Sequence, residues 1–316
     1  MKEIGGYIEL DTYRLPMLHE GALLLNCARS ALAYLIRARK IRKLYLPKLV
    51  CYTVPGVCER EGVPYELYGV GENFLPACGF SLGEGEWLYL VNLYAQLPNE
   101  KIAEYVRTYG RVIVDNAHSY FQQPLPGVDT LYTCRKFFGV SDGAALYTDA
   151  VLNETFPVDE SFERMHYVLG RLERTASEFY AEFTANDEFF DHEPIKRMSK
   201  LTYNLLHGID YAAAEKTRRE NFAYLHEQLG AQNRLRLTTG TYMYPFWTER
   251  GAEIRKKLHE KKIYVPTLWP NVFDRCQETD TEYDMAKNVL PLPIDQRYGT
   301  DEMKYVVEKL KACMSI

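Results

Sequence analysis

The sequence lacks several features that would assign it to common protein classes. Its seven cysteines are an odd number, spread from Cys27 to Cys313 with neither a CxxC pair nor a Cys/His spacing typical of a metal site. We therefore expect a reducing compartment and no bound metal. The net charge of −5 provides no basic surface for nucleic acid or for an anionic membrane, so neither is expected as a partner.

Long apolar runs and a glycine-rich dinucleotide turn are missing too. No window approaches the length of a membrane-spanning helix, and the amino terminus, MKEIGGYIELD, has no apolar signal core. These absences predict a soluble, cytoplasmic protein. An NAD-type Rossmann protein needs a GxGxxG turn after its first strand, and the stretch NCARSA (26–31) offers none, so we discount that class.

The composition that is present supports a packed core. Apolar residues make up 47% of the chain and aromatic residues 13%, and the length of 316 residues exceeds that of one typical domain. We expect a large domain over residues 1–230 and a smaller C-terminal domain over residues 231–316. Neither an internal repeat nor a low-complexity linker is visible.

The order of the predicted elements indicates an α/β fold. Strands alternate with helices between residues 22 and 150, a pattern typical of a doubly wound, mostly parallel sheet. The predicted strands are 43–47, 64–70, 87–95, 112–114, a segment around 128–132, and 144–147, with helices at 31–40, 52–61 and 99–109. Outside this region we predict an irregular arm (1–20), an aromatic and charged helical region (161–200) and a long helix (210–229). The small domain is predicted to contain strands 241–247, 263–266 and 289–294 and helices 251–261 and 301–313.

The stretch from Arg111 to Asp149 carries the strongest indication of a ligand site. A buried strand ends at Asp115, and a second apolar segment leads to Lys136 before a Gly/Asp-rich return. In open α/β sheets ligands bind at the carboxyl ends of the strands, so both charges fall where a ligand is expected. On these residues alone, a salt bridge or two solvated loop charges would explain them equally well.

Several stretches together resemble the DegT/DnrJ/EryC1/StrS family of sugar aminotransferases, which are fold-type I pyridoxal-phosphate enzymes. They are NCARSAL (26–32), YLPKLVCYTVPGVCEREG (45–62), VIVDNAHSY (112–120), YTCRKFFGVSDGAALYT (132–148), IYVPTLWP (263–270) and LPLPIDQRY (290–298). The resemblance rests on their order and spacing and covers most of the chain. It implies the fold-type I architecture, a mostly parallel doubly wound large domain with a smaller C-terminal α/β domain.

The resemblance implies pyridoxal phosphate as the cofactor and Lys136 as the catalytic lysine that bonds to its aldehyde. It assigns Asp115 to the pyridine nitrogen, where a carboxylate keeps the ring protonated. His118 matches the polar residue that contacts the ring or its phenolic oxygen, and the charge of Arg135 would favour a neutral lysine amine. A surface lysine and a core histidine are the competing interpretations of Lys136 and His118.

For the cofactor phosphate, the resemblance points to the backbone at Ala28 and Arg29, at a helix N-terminus, and to the hydroxyl of Thr133. Many family members have Gly-Thr where this chain has Ala28 and Arg29, so the side-chain part of the phosphate site departs from the family, although Arg29 can supply charge. The aromatic residue over the cofactor should come from LVCYT. Strict alignment falls on Cys51, whereas Tyr52 is the better stacking residue.

Four further residues are candidates for contact with cofactor or substrate. Asn92, assigned to the cofactor, and Tyr94, assigned to the substrate, lie at a strand end that faces the same crevice, and a plain packing role explains them equally well. Trp269 and Arg297 could face the substrate from the small domain, and carboxylate binding competes with a structural ion pair for Arg297. The family's Gly-x-Asn segment, which reaches into the partner subunit's site, is not visible, and the helical region 161–200 stands in its place.

The resemblance implies transamination in two half-reactions. The amino donor is expected to be glutamate or glutamine, and the acceptor a keto-sugar that is nucleotide-linked. A homodimer with shared active sites is also implied. Two alternatives stay open, a non-catalytic pyridoxal-phosphate-binding protein and a dehydratase or lyase that uses the same cofactor. Family dehydratases replace the lysine by histidine, so Lys136 counts against a dehydratase of that kind.

Overall fold

An eight-stranded sheet lies at the centre of the structure, a computed structural model that describes residues 4–315. In chain order its strands are β1 (Leu23–Leu25), β2 (Lys43–Pro47), β3 (Tyr65–Val70), β4 (Pro76–Ala77), β5 (Glu86–Val91), β6 (Val112–Asp115), β7 (Asp129–Thr133) and β8 (Ala144–Tyr147). They are arranged in the order β1-β8-β7-β6-β5-β2-β3-β4. The strands from β7 to β3 in that order are parallel, whereas β8, β1 and β4 pair antiparallel at the two edges. The predicted mostly parallel α/β fold is confirmed.

Helices cover this sheet and extend the chain beyond it. They are α1 (Ala28–Ala38), α2 (Thr53–Arg60), α3 (Asn99–Tyr109), α4 (His166–Glu173), α5 (Tyr180–Phe189), α6 (Lys200–Leu206), α7 (Tyr211–Leu229), α8 (Gly251–Glu260), α9 (Thr281–Asn288) and α10 (Thr300–Met314). None of the helices in the described part of the chain combines the length and hydrophobicity of a membrane-spanning segment. Residues 4–20 contain neither a helix nor a strand, as predicted for the arm.

Apolar residues on both faces explain why β5, β6 and β7 lie in the middle of the sheet. Every residue of β6 and β7 is buried, as expected for parallel strands covered on both sides. In β5 the side chains alternate, so that Leu88 and Leu90 join one apolar cluster and Tyr89 and Val91 join the other. The cluster on the Tyr89 side is the larger, and it continues into the C-terminal part of the chain.

The direction of the crossovers reverses between β2 and β5. β2 leads through α2 to β3 on one side, whereas β5 leads through α3 to β6 on the other. Loops that leave the carboxyl ends of such strands diverge and open a crevice. Asn92 follows β5, Asp115 ends β6 and Thr133 ends β7, with Val91 paired to Asp115 and Asp115 to Leu131. The predicted crevice residues therefore lie along one edge of the sheet.

Two predicted strands differ from the structure. The strand predicted for residues 87–95 ends at Val91, because Tyr94 and Ala95 adopt positive φ angles of 52° and 62° in a short 3-10 turn. The strand predicted for residues 263–266 is wrong, because this segment is irregular. The backbone of Val265 is bonded to a side chain instead of to a neighbouring strand. Nε2 of His259 lies 2.8 Å from its carbonyl oxygen and 3.1 Å from its amide nitrogen.

The C-terminal part is built on a two-stranded antiparallel sheet of β9 (Met243–Trp247) and β10 (Val289–Pro293). α8 and α9 pack against β10, α10 packs against α8, and α7 packs against both α10 and β9. The long helix α7 is capped at its N-terminus by Asp210, whose side chain accepts a hydrogen bond from the amide of Ala213 at 2.9 Å. This helix also contacts the turn after β7, since Arg218 donates to the carbonyl oxygen of Phe137 at 3.2 Å.

Candidate active site

Lys136 lies in the turn that follows β7. The amides of Phe137 and Phe138 both donate to the carbonyl oxygen of Cys134 at 3.0 Å, which closes the turn around the lysine. The side chain of Lys136 is exposed to solvent, and its amine lies on the crevice side of the turn, 5.8 Å from the ring centre of Tyr242. The protein atoms around the amine lower the pKa of the ammonium group, whereas the charge of Asp115 opposes this shift and the charge of Arg135 adds a smaller effect in the lowering direction.

Asp115 is the carboxylate of the crevice. The hydroxyl of Tyr89 donates to its Oδ2 at 2.8 Å, and the amide of Ala117 donates to its Oδ1 at 2.8 Å. Burial raises the pKa of this carboxyl group, while the charge of Lys136 and the two hydrogen bonds oppose that rise. The aspartate and the lysine therefore stabilise the charged forms of each other across the crevice.

His118 is buried in a stack of aromatic rings. Its imidazole lies 4.0 Å from the ring of Tyr242 and 5.5 Å from that of Trp269, and both pairs are nearly parallel. The amide of Tyr94 donates to Nδ1 of His118 at 3.4 Å. Burial holds the pKa of the imidazole well below its usual range, so the ring is neutral at pH 7. With Nδ1 accepting, the ring proton lies on Nε2, which has no hydrogen-bond partner within residues 4–315.

The predicted phosphate end of the site contains two arginines and two carboxylates. Arg29, in the first turn of α1, lies 3.3 Å from Asp187 and 2.9 Å from Asp191. Arg135 donates to the other oxygen of Asp187 at 2.8 Å. We call Arg29 and Arg135 the arginine pair, and Asp187 and Asp191 the acidic pair. The acidic pair comes from α5 and the turn after it, so the helical region 161–200 reaches this end of the crevice within the same chain.

The other residues predicted for the phosphate occupy the same end. Ala28 is the first residue of α1 and is half-buried, so the free amides of this helix N-terminus lie next to the arginine pair. Thr133, the last residue of β7, is buried. Neither residue has a contact that assigns it a role, and phosphate binding stays a prediction for both.

The two candidates for the stacking residue point in different directions. Cys51 lies close enough to Lys136 to influence the pKa of the lysine. The ring of Tyr52 is 44% exposed, and its hydroxyl donates to Oδ2 of Asp191 at 3.4 Å. Tyr52 therefore contacts the acidic pair, whereas strict alignment to the family selects the residue that faces the lysine.

Asn92 has a packing role in this structure. Its amide nitrogen donates to Asn116 at 3.0 Å and to Gln122 at 2.9 Å, and its oxygen accepts from the amide of Leu97 at 2.8 Å. The side chain thus holds two crevice loops together, which was the competing interpretation of this residue. Its neighbour Tyr94 faces the site, with its ring 5.5 Å from that of His118.

The two C-terminal candidates differ in a similar way. Trp269 is buried against His118 in the aromatic stack. Arg297 forms two hydrogen bonds with Asp295, at 2.6 and 2.9 Å, and so adopts the structural ion pair that was one of its two interpretations. Of the predicted substrate residues, Trp269 and Tyr94 are therefore beside His118, and Arg297 is already paired.

Three residues of the site were not identified from the sequence. Tyr242 stacks on His118, and its ring lies 5.8 Å from the amine of Lys136, but the stretch TYMYPFW indicated only a strand. Tyr89 was assigned only to a buried strand. Asp187 belongs to the acidic stretch NDEFFDHEP, whose charge was visible but whose arginine partners were not. Contacts between residues so distant along the chain leave no local pattern.

Comparison with known proteins identifies the fold. No family model matches the sequence, and no curated protein matches it either. PseC of Helicobacter pylori, an aminotransferase involved in the biosynthesis of pseudoaminic acid, is 12% identical with a TM-score of 0.63, over 92% of this chain and 86% of that one. A DegT DnrJ EryC1 StrS aminotransferase from Brucella abortus is 11% identical with a TM-score of 0.61, over 92% and 86%. Spr1654 of Streptococcus pneumoniae, assigned as a sugar aminotransferase and solved in its PLP form, is 13% identical with a TM-score of 0.61, over 94% and 88%. The chain has the fold of these proteins, as predicted.

Proposed function

We propose that this protein is a pyridoxal-phosphate-dependent aminotransferase that moves an amino group onto a keto-sugar. The observation that carries the proposal is the presence of the Lys136 amine and the buried Asp115 carboxylate in one crevice, at the ends of adjacent parallel strands. The similarity in fold to sugar aminotransferases, one of them solved in its PLP form, supports the class of reaction and the cofactor.

The crevice residues fit this cofactor in three respects. Each carboxylate oxygen of Asp115 accepts one hydrogen bond and keeps a lone pair for a protonated pyridine nitrogen. The unpartnered Nε2–H of His118 is a donor suited to the phenolic oxygen. The arginine pair and the N-terminus of α1 suit a phosphate, although the acidic pair neutralises the arginines before a phosphate enters.

Four protein groups would carry the reaction. Pyridoxal phosphate supplies an aldehyde that bonds reversibly to amines and a ring that withdraws electrons from the carbon beside the bound nitrogen. Lys136 holds the cofactor and, once the donor amine has replaced it, its free amine removes the proton from the donor α-carbon. The lowering of its pKa favours the unprotonated, basic form of this amine. Asp115 holds the proton on the ring nitrogen, while Tyr89 and the amide of Ala117 stabilise its charge.

For the amino donor we propose glutamate or glutamine, and for the acceptor a nucleotide-linked keto-sugar. The names of the similar structures support a sugar acceptor. Trp269 and Tyr94 flank His118, and because both rings are buried, their proposed contribution to the substrate site is to hold His118 in position. The reverse half-reaction uses the same lysine, which returns a proton to the carbon that receives the amino group.

We further propose a homodimer with shared active sites. Large apolar side chains are almost fully exposed in the N-terminal arm, where Ile4, Tyr7 and Ile8 are 91–98% exposed, and in α4, where Leu172 is 86% exposed. Exposed apolar surfaces of this kind are typical of interfaces between subunits. Light scattering on the purified protein should give twice the monomer mass, and a monomer would contradict this part of the proposal.

The visible spectrum of the purified protein with pyridoxal phosphate tests the function. Wild type should have an absorbance band that borohydride abolishes, and Lys136→Ala should lack it. Lys256→Ala, which changes an exposed lysine of α8, is the matched control and should behave as wild type. Glutamate or glutamine should bleach the band as the amino group moves to the cofactor. A wild type that stays colourless with added cofactor contradicts the proposal.

A non-catalytic pyridoxal-phosphate-binding protein is the second candidate. It is favoured by the ion pair of Arg297 with Asp295, which occupies a guanidinium for which carboxylate binding was one of two interpretations. Such a protein would have the same absorbance band, with the same dependence on Lys136. It would differ in that neither donor bleaches the band.

A further inference from the structure

Arg218 is a buried cation outside the crevice. It lies in α7 and is 1% exposed, and all of its hydrogen bonds within the described residues go to neutral oxygen atoms. Burial lowers its pKa from 12.5 to about 10, so the guanidinium remains charged at neutral pH. The charge of Asp295 opposes this lowering, but Asp295 makes no hydrogen bond with Arg218 and is itself paired with Arg297. A buried guanidinium without a directly bonded counter-ion costs stability, and its position in the fold needs a physical explanation.

The hydrogen bonds of Arg218 reach three separate segments of the chain. Nη2 donates to the carbonyl oxygen of Phe137 at 3.2 Å, Nη1 to that of Thr241 at 2.7 Å, and Nε to Oε1 of Gln296 at 2.6 Å. Phe137 directly follows Lys136, and Thr241 directly precedes Tyr242. One guanidinium therefore joins the lysine turn to the segment that carries the ring stacked on His118.

The third segment closes this arrangement. The amide nitrogen of Gln296 donates to the same carbonyl oxygen of Phe137 at 2.8 Å, so that oxygen accepts from both side chains. Asn221, three residues after Arg218 on α7, donates to the carbonyl oxygens of Ile294 and Tyr298 at 3.2 and 2.9 Å. α7 thus holds Gln296 on both sides, and the guanidinium also lies 4.6 Å from the ring centre of Phe137.

We infer that Arg218 is a positioning residue for the proposed reaction, which fixes the turn of Lys136 relative to Tyr242 and His118. The inference rests on the proposed function for its catalytic consequence, but the arrangement itself is a property of the protein alone. Arginine suits this position because its planar fork presents donors in several fixed directions, whereas a lysine ammonium is a single point with a flexible stem. Without the fork, the carbonyl oxygens of Phe137 and Thr241 lose a buried donor, and the two segments lose their common anchor.

Hydrogen exchange and the cofactor spectrum, measured on the same variants, test this inference. The variants are Arg218→Lys and Arg218→Met, with Lys216→Met as matched control, because Lys216 is a cation of the same helix whose side chain is 76% exposed. We expect both Arg218 variants to exchange faster in peptides covering 134–143 and 239–247, but not in β3. With cofactor, the pH dependence of the absorbance band should shift, and amino transfer should slow about 100-fold.

The outcomes separate the inference from the proposed function. The inference would be overturned if a folded Arg218→Lys protein exchanged at the wild-type rate in peptides 134–143 and 239–247 and had the wild-type absorbance band. A uniform loss of protection in all peptides, with an unchanged band, would also overturn it, since that is the behaviour of a merely structural residue. If wild type forms no band, the proposed function fails, and the exchange pattern still decides whether Arg218 fixes the lysine turn. Should both Arg218 variants fail to fold, Gln296→Leu removes one partner of the same carbonyl oxygen and is expected to loosen residues 134–143.

Discussion

Replacing Tyr89 by phenylalanine should weaken the site without altering the lysine. Tyr89 lies in β5 with 1% of its surface exposed, and its hydroxyl is one of two donors to the carboxylate of Asp115. Burial already raises the pKa of Asp115, and this hydrogen bond opposes the rise. The variant should therefore have a still higher pKa at Asp115 and a smaller fraction of charged carboxylate to hold the proton on the cofactor ring.

The size of the effect follows from the charge of the acceptor. A hydrogen bond to a charged group contributes about 1.5–3 kcal/mol to stability, whereas one between neutral groups contributes about 0.5–1.5 kcal/mol. If the charged bond is lost, amino transfer should slow roughly 10- to 100-fold. The free energy of unfolding of the cofactor-free protein at neutral pH should fall by about 1.5–3 kcal/mol. Because the lost bond favours the carboxylate, this difference should shrink as the pH falls through the pKa of Asp115.

Rapid-mixing absorbance and urea denaturation measure the two quantities. The rate at which glutamate bleaches the cofactor band reports amino transfer, and the urea midpoint reports stability. Tyr211→Phe is the matched control, since Tyr211 is also buried and its hydroxyl donates to the neutral carbonyl oxygen of Leu206 at 2.8 Å. This control should lose about 0.5–1.5 kcal/mol of stability and bleach at the wild-type rate.

Two results would refute this reasoning. If Tyr89→Phe bleaches as fast as wild type, the charge of Asp115 does not limit the reaction. If Tyr211→Phe slows bleaching as much as Tyr89→Phe does, the effect comes from general loosening of the core rather than from the carboxylate.

Three further changes test separate parts of the structure. Asp187→Asn should tighten binding of pyridoxal phosphate roughly five- to tenfold, because it removes an anion from the arginine pair. Absorbance titration measures the affinity, with pyridoxal, which has no phosphate, as the control ligand. Weaker binding of pyridoxal phosphate would contradict this prediction. Burial lowers the pKa of His19 from 6.5 to about 4. The free energy of unfolding should therefore fall by about 3 kcal/mol as the pH falls through that interval, because the unfolded state takes up the proton first. Urea midpoints at pH 7 and pH 4.5 should therefore differ less for His19→Gln than for wild type. Gly251→Ala should lower the free energy of unfolding by about 3 kcal/mol, because the new Cβ would lie 2.1 Å from the carbonyl oxygen of Asn288. At Gly56 on α2 a Cβ meets no neighbouring atom, so Gly56→Ala should raise the free energy of unfolding by about 0.5–1 kcal/mol. Urea denaturation measures both changes.

The sequence was sufficient for the parallel sheet and for the two charges at its edge. Strands such as β6 and β7 carry their own apolar patterns, and parallel strands bring their carboxyl ends to one edge, so the order of the residues alone assigns Asp115 and Lys136 to one crevice. The prediction of a strand failed where the backbone does not follow the local residue pattern. Residues 263–266 have the composition of a strand, but with no neighbouring strand to pair with among residues 4–315 they are irregular.

The rest of the site was decided by tertiary structure. Arg29 meets Asp187 across 158 positions of sequence, and His118 stacks on Tyr242, which lies in another part of the chain. Arg218 lies on the predicted helix 210–229, whose sequence does not indicate that one of its charges is buried against carbonyl and amide oxygens from three other segments. Periodicity reports the local energy of a helix or strand and which of its faces is apolar. Which distant charges and rings meet depends on how the loops return, and that is determined only when the whole core packs.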